Sequence, residues 1–156
     1  MWLFINQTKE GNMKQFKWVS LWATSIAVAA VLAITGCAGK GYTPENAPGE
    51  FSCAVNDNVD MDVAGEAELA DFTCFYKKWE GAETLHFNVT VKNLSDKPQR
   101  YKVNIFLDND KAVGGLIPRK TGKGLLEPGK AASFVYPVKG VTQQPKEVIL
   151  KIRTIE

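Results

Sequence analysis

The sequence predicts an all-β antiparallel sandwich that follows a removable N-terminal segment. Three observations carry this. Leu85, Phe87, Val89 and Val91 alternate with His86, Asn88, Thr90 and Lys92, the period of two that turns one face of a strand to a core and the other to water. The same pattern returns in Tyr101, Val103, Ile105 and Leu107, after the turn-forming run Asn93-Leu94-Ser95-Asp96-Lys97-Pro98, whose side chains bond nearby backbone or preset φ. Six or seven short strand patterns of this kind recur beyond residue 50, without a convincing helical repeat among them, and such a series closes most simply as two packed sheets.

Residues 1–36 stand outside that domain. Lys14 and Lys17 precede an apolar run, Trp18 to Ile34, interrupted only by Ser20, Thr24 and Ser25. A positive flank, an apolar stretch and a small-residue exit make an export signal. MKQFKW from Met13 is a sufficient positive flank, so residues 1–12 read as an upstream extension and Met13 as the expected start. Ile34-Thr35-Gly36-Cys37 then resembles the cleavage motif of bacterial lipoprotein precursors, an aliphatic residue and two small ones before Cys. The resemblance spans residues 13–37. It implies a diacylglyceryl thioether on Cys37, a cut before it, acylation of the new amine, and the membrane as first partner. Ala38 stands where Asp would imply inner-membrane retention in enteric bacteria, so the outer membrane is expected. The competing reading is an uncleaved span, since the 17 residues of the run lie near the lower limit for crossing a bilayer. Gly-Cys at the boundary favours the lipoprotein.

From Cys37 onward there are 120 residues, room for one domain with a core. Lys40 to Glu50, rich in Pro, Gly and polar residues, reads with Cys37 to Gly39 as a tether, 37–50, leaving 51–156 for the sandwich. The mature chain has 16 basic and 16 acidic residues, yet Gly41 to Tyr76 holds eight acids and no base. No concentrated basic patch with interleaved aromatics marks a nucleic-acid binder.

With Cys37 assigned to lipid, Cys53 and Cys74 remain as a pair. In an exported protein they are expected to form a disulfide. A metal pair or redox dithiol is the alternative, but the C-x-x-C spacing is lacking.

The elements follow in order. Phe51 to Val55 reads as a short strand or extended segment. Asn56 to Asp62 (NDNVDMD) reads as a polar loop; as a Ca²⁺ loop it fails because Val63 stands where the turning Gly belongs. Ala64 to Leu69 is ambiguous, a short helical turn being one reading. From Ala70, Phe72, Cys74 and Tyr76 share one face and Asp71, Thr73, Phe75 and Lys77 the other. Glu80-Gly81-Ala82 turns the chain into the Leu85 strand. After Leu107, Asp108-Asn109-Asp110 returns it into Ala112–Ile117, Phe134 and Tyr136 mark a strand after Glu127-Pro128-Gly129-Lys130, and Val148, Leu150 and Ile152 mark the last.

The stretch VTVKNLSDKPQRYKVNIFL, followed by LEPGKAASF, resembles the immunoglobulin-like domains of many bacterial envelope proteins, including FxLYD-type domains. The likeness covers residues 83–154. It implies a fold and carries no catalytic residues across.

Few side chains point to chemistry. His86 is expected on the outward face beside Asn88 and Lys92, an ordinary solvated histidine. Gly114 to Lys130 is a Gly-rich loop carrying Arg119, Lys120, Lys123 and Lys130. It is not a P-loop, since Ile117 and Gly124 occupy the first-Gly and hydroxyl positions. Arg119, Lys120 and Lys123 are the candidate contacts for an anionic ligand, a lipid head group or wall polymer. Asn88-Val89-Thr90 and Asn93-Leu94-Ser95 match glycosylation sequons by chance. No catalytic set, metal site or cofactor is expected. The expectation is a non-enzymatic accessory or binding module for another envelope protein, held by lipid.

Overall fold

The computed structural model describes residues 41–49, 51–119 and 124–155. Cys37, the export segment, Lys120 and Lys123 lie outside the described residues. The alternating stretches become seven strands: β1 (Val59–Val63), β2 (Ala67–Trp79), β3 (Ala82–Asn93), β4 (Arg100–Leu107), β5 (Ala112–Ile117), β6 (Ala131–Pro137) and β7 (Val148–Ile155). They form two sheets, ordered β1-β7-β4-β5 and β2-β3-β6. The protein is an all-β sandwich, consistent with an immunoglobulin-like one.

The core is built by phase. Leu85, Phe87, Val89 and Val91 of β3 are wholly buried, as are Tyr101, Val103 and Ile105 of β4 and Val148, Leu150 and Ile152 of β7. Removing these side chains from water is the main force holding the sheets together. β2 and β3 join through Glu80 and Gly81, both at positive φ (49° and 89°), the backbone twist that a two-residue hairpin favours. β2 keeps its phase through the pairs Cys74↔Phe87, Phe75↔His86 and Tyr76↔Leu85. A register shift between Leu69 and Asp71 takes up one residue.

The structure corrects the reading of residues 51–69. Of the two readings of 51–55 the strand does not form; Ala54 is extended and a 3₁₀ turn, Val55–Asp57, begins at the next residue. The acidic patch is not all loop, because Val59–Val63 is a strand; of 64–69, Ala64 to Ala67 closes a single turn, the Ala67 N–H donating to the Ala64 carbonyl at 3.0 Å, and β2 starts at Ala67 in place of any helix. β1 pairs in parallel with β7, Val59 to Val148 through Val63 to Ile152, so the sandwich is not wholly antiparallel. Val59 and Val63 pack on the core, while Asp62 reaches across to the Arg153 guanidinium in a two-pronged ion pair. Asp is a poor strand former; the cross-strand partner offsets that cost.

The segment before the sandwich is tied down at Tyr42. Its N–H donates to Gln144 Oε1 at 3.2 Å, its carbonyl accepts from Gln144 N–H at 2.8 Å, and the Tyr76 hydroxyl donates to that carbonyl at 2.9 Å. Phe51 stacks on Tyr76 with ring centroids 5.4 Å apart.

Candidate functional site

Cys53 and Cys74 are joined, with Cα atoms 5.4 Å apart. The bond clips the segment before β1 onto β2, and both residues are buried. Neither cysteine is available to a metal or to redox exchange with a partner while so paired. Their role is structural.

Of the three candidate cations, the structure describes Arg119. It leaves the end of β5 and lays its guanidinium over the Phe134 ring, 4.4 Å from the centroid, a cation held by the negative face of an aromatic. Phe134 meets Tyr136 edge-on at 4.8 Å. Both belong to β6, which has a strand partner on one side only; β5 likewise ends its sheet. Two open edges thus lie where the chain crosses from one sheet to the other.

A cleft of about 510 Å³ opens along β6. Arg119, Phe134 and Tyr136 line it at the edge, and Phe75, Trp79 and His86 line it from the outer face of the β2-β3-β6 sheet. Phase explains the second group. Phe75 and His86 are cross-strand partners on the face away from the core, and their rings stack at 5.4 Å with planes 10° apart. Trp79 meets His86 edge-on at 6.1 Å, and Pro137 is paired opposite His86 on the other side. His86 is therefore 3% exposed, not the solvated histidine that its phase alone suggests. Its face was read correctly; its covering by Phe75, Trp79 and Pro137 depends on register. Nδ1 lies 2.8 Å from the Thr84 carbonyl oxygen, so Nδ1–H donates there.

The cleft has an uneven polarity. Lys77 joins Arg119 in its lining, and among the described residues no carboxylate does. The Tyr136 hydroxyl is buried with no hydrogen-bond partner in the protein. Burial pushes its pKa well above the usual phenolic range, and the Arg119 charge pulls the other way. A buried hydroxyl without a partner is uncommon and costs free energy. The arrangement places a cation at one side of an apolar space, which suits binding. No group of three or more metal-ligating side chains occurs among the described residues. Of the acidic patch, Asp62 is committed to Arg153, whose hydrogen bond holds its carboxyl below the usual carboxylate range.

Phe75, Trp79, Phe134 and Tyr136 were not nominated from sequence as a site. A signal existed: Phe75 and Trp79 are aromatics in the outward phase of β2, where a solvated strand carries polar residues. No family model, curated protein or solved structure matches the chain.

Proposed function

We propose that the chain is a lipid-anchored, non-enzymatic binding module of a bacterial cell envelope, moored through Cys37 and most at home on the outer membrane. Its task is to hold another envelope component, not to transform one. The observation that carries the reading is the aromatic cleft beside the open edge of β6. Apolar walls with a few placed polar groups are the usual make-up of a recognition site, and an unpaired strand edge adds main-chain donors and acceptors for a partner.

The test is photo-crosslinking in cells from Val135, which is 37% exposed on β6, against Leu94, which is 54% exposed in the β3–β4 turn. A discrete adduct from position 135, absent from position 94, supports the module. Equal labelling, or none, removes the cleft as its working face. Mass spectrometry of the membrane-extracted protein checks the mooring: the expected N-terminal peptide begins at a diacylglyceryl-modified Cys37, and an intact unmodified leader overturns it.

A second reading has its own support. Arg119, with Lys120 and Lys123 following it in the Gly-rich loop, would hold an anionic ligand such as a lipid head group or wall polymer. The placement of Arg119 over Phe134 at the rim of the cleft favours it. Replacing Arg119, Lys120 and Lys123 together with Ala leaves envelope association unchanged if this reading is wrong.

A further inference from the structure

We infer that the sandwich meets the lipid head groups with one particular end, formed by the β2–β3 hairpin, the 3₁₀ turn and the β6–β7 connection, with Trp79 at the contact. The partner of this surface is the bilayer itself. The inference rests on the mooring through Cys37 and goes beyond it, because an anchor on a long free leash would leave the domain without a preferred orientation.

The leash is short. Only Ala38, Gly39 and Lys40 separate Cys37 from Gly41, and four backbone steps span about 14 Å at most. At Tyr42 the chain already belongs to the domain, fixed by its hydrogen bonds with Gln144 and Tyr76. A Cβ on Gly41 would lie 3.5 Å from both the Gln144 carbonyl oxygen and Val55 Cγ2, so the chain leaves the domain at that contact.

The point of departure lies at one end of the strands. Tyr76 pairs with Leu85, and Leu85 exchanges backbone hydrogen bonds with Val138 and Val141 of the β6–β7 connection. The Val55 N–H donates to the Pro145 carbonyl at 2.9 Å, and Lys139 pairs with Glu80 of the hairpin at 2.9 Å. Trp79, 45% exposed, is three residues nearer the hairpin tip than Tyr76, about 10 Å at the rise of a strand. Leu94 is nine residues from Leu85 in the opposite direction, about 30 Å. The bridge between Gln99 and Leu126 belongs to that far end.

Reach decides between the two ends. The head-group layer takes up about 5–7 Å of the leash, and the remainder, under about 10 Å, is no more than the hairpin extends beyond Tyr42. An indole suits that depth, with an apolar body and one N–H left in water. Lys111, Lys139 and Lys146 are interspersed there with Glu80, Asp108 and Asp110, all exposed, so the contact needs no anionic lipid.

The experiment takes the lipidated chain, extracted from membranes, into zwitterionic phosphatidylcholine vesicles in which a fraction of the lipids carries a nitroxide on the head group. Trp79 is the only tryptophan beyond residue 22, so the chain cut before Cys37 reports from that position alone. Trp79→Phe combined with Leu94→Trp reports from the far end. The nitroxide is expected to quench Trp79 about threefold or more over the position-94 reporter, given the ~30 Å between them. Inserting about ten Gly and Ser residues between Lys40 and Gly41 lets the domain roam by a further ~17 Å and should shrink that ratio to less than about twofold.

Equal quenching of the two reporters, or stronger quenching at position 94, overturns the inference. So does a ratio that the insertion leaves unchanged, since the leash would then not set the orientation. Mass spectrometry of the same samples separates this failure from failure of the mooring. A diacylglyceryl-modified Cys37 with equal quenching keeps the anchor and rejects the orientation, whereas an intact unmodified leader removes both.

Discussion

The hydroxyl of Tyr101 lies 2.8 Å from Asn93 Oδ1, and both residues are completely buried. Asn93 is the polar hub of the sandwich. Its Nδ2 donates to the carbonyls of Lys97 and Leu126 at 2.7 and 2.8 Å, which orients the amide, and its Oδ1 also accepts from the N–H of Ser95 at 2.9 Å. Its own backbone pairs with Lys130 and Gly129. One side chain therefore ties the end of β3 to the β3–β4 turn, to β4 and to the approach to β6.

Truncating that hub should be costly. Asn93→Ala leaves several buried groups without partners and is expected to lower stability by about 3 kcal/mol, at ~1 kcal/mol or more per orphaned group. Asn93→Asp should also destabilise, since a carboxylate would face two carbonyl oxygens. Tyr101→Phe should cost only about 1 kcal/mol, and the double variant less than the sum, because the two share a hydrogen bond. Urea midpoints of the unmodified protein and the four variants decide it; an Asn93→Ala loss under about 1 kcal/mol would refute the hub.

The disulfide makes a separate contribution. Cys53 and Cys74 are 21 residues apart, so replacing both with Ser should cost about 3 kcal/mol on chain-entropy grounds. Reductant should reproduce the loss in the native protein and have no effect on the double variant. Equilibrium denaturation with and without dithiothreitol checks both.

Two adjacent glycines of β5 should behave differently. A Cβ on Gly114 would run into the Val103 carbonyl oxygen, which is backbone and cannot move aside without opening the β4–β5 ladder. A Cβ on Gly115 would meet Tyr136 Cε1 at 3.3 Å, a ring edge that shifts more readily. Gly114→Ala is expected to cost about 3 kcal/mol and Gly115→Ala about 1. Thermal denaturation that ranks them the other way would refute this account of the strand.

Tyr76 gives an alkaline limit. Burial pushes its hydroxyl up to about 12 from 10.0, and it donates to the Tyr42 carbonyl. In the unfolded chain this phenol ionises first, so the stability it lends is complete below about pH 10 and is lost as pH rises through its folded value. Stability should fall between pH 10 and 12, less steeply in Tyr76→Phe. Phenolate absorbance followed through unfolding at stepped pH measures it; identical slopes in the two proteins would exclude Tyr76 as the cause.

Much of the sandwich was readable because its strands are one-sided. Leu85 to Val91 and Tyr101 to Leu107 announce their buried face by period alone, and the hairpin at Glu80-Gly81 and the return at Asp108-Asn109-Asp110 carry residues suited to tight turns. β1 was not readable. Its Val59, Met61 and Val63 alternate correctly, but Asp60 and Asp62 mask a strand whose support comes from Arg153, ninety-one residues away. His86 shows the same limit from the other side: its phase is local, while its cover is assembled from β2 and β6.

By itself the sequence determined the strand phases, the Cys53–Cys74 pairing and the presence of a cationic Gly-rich crossing between β5 and β6. These depend on neighbours one or two residues away, or, for the disulfide, on the expectation that Cys37 is taken by lipid. Only the tertiary structure decided that β1 runs parallel to β7, that Arg119 comes to rest on Phe134, and that Phe75, Trp79 and Tyr136 wall a common cleft. Such relations depend on which strand lies beside which, and pairing energy between distant segments is settled only when the whole core closes.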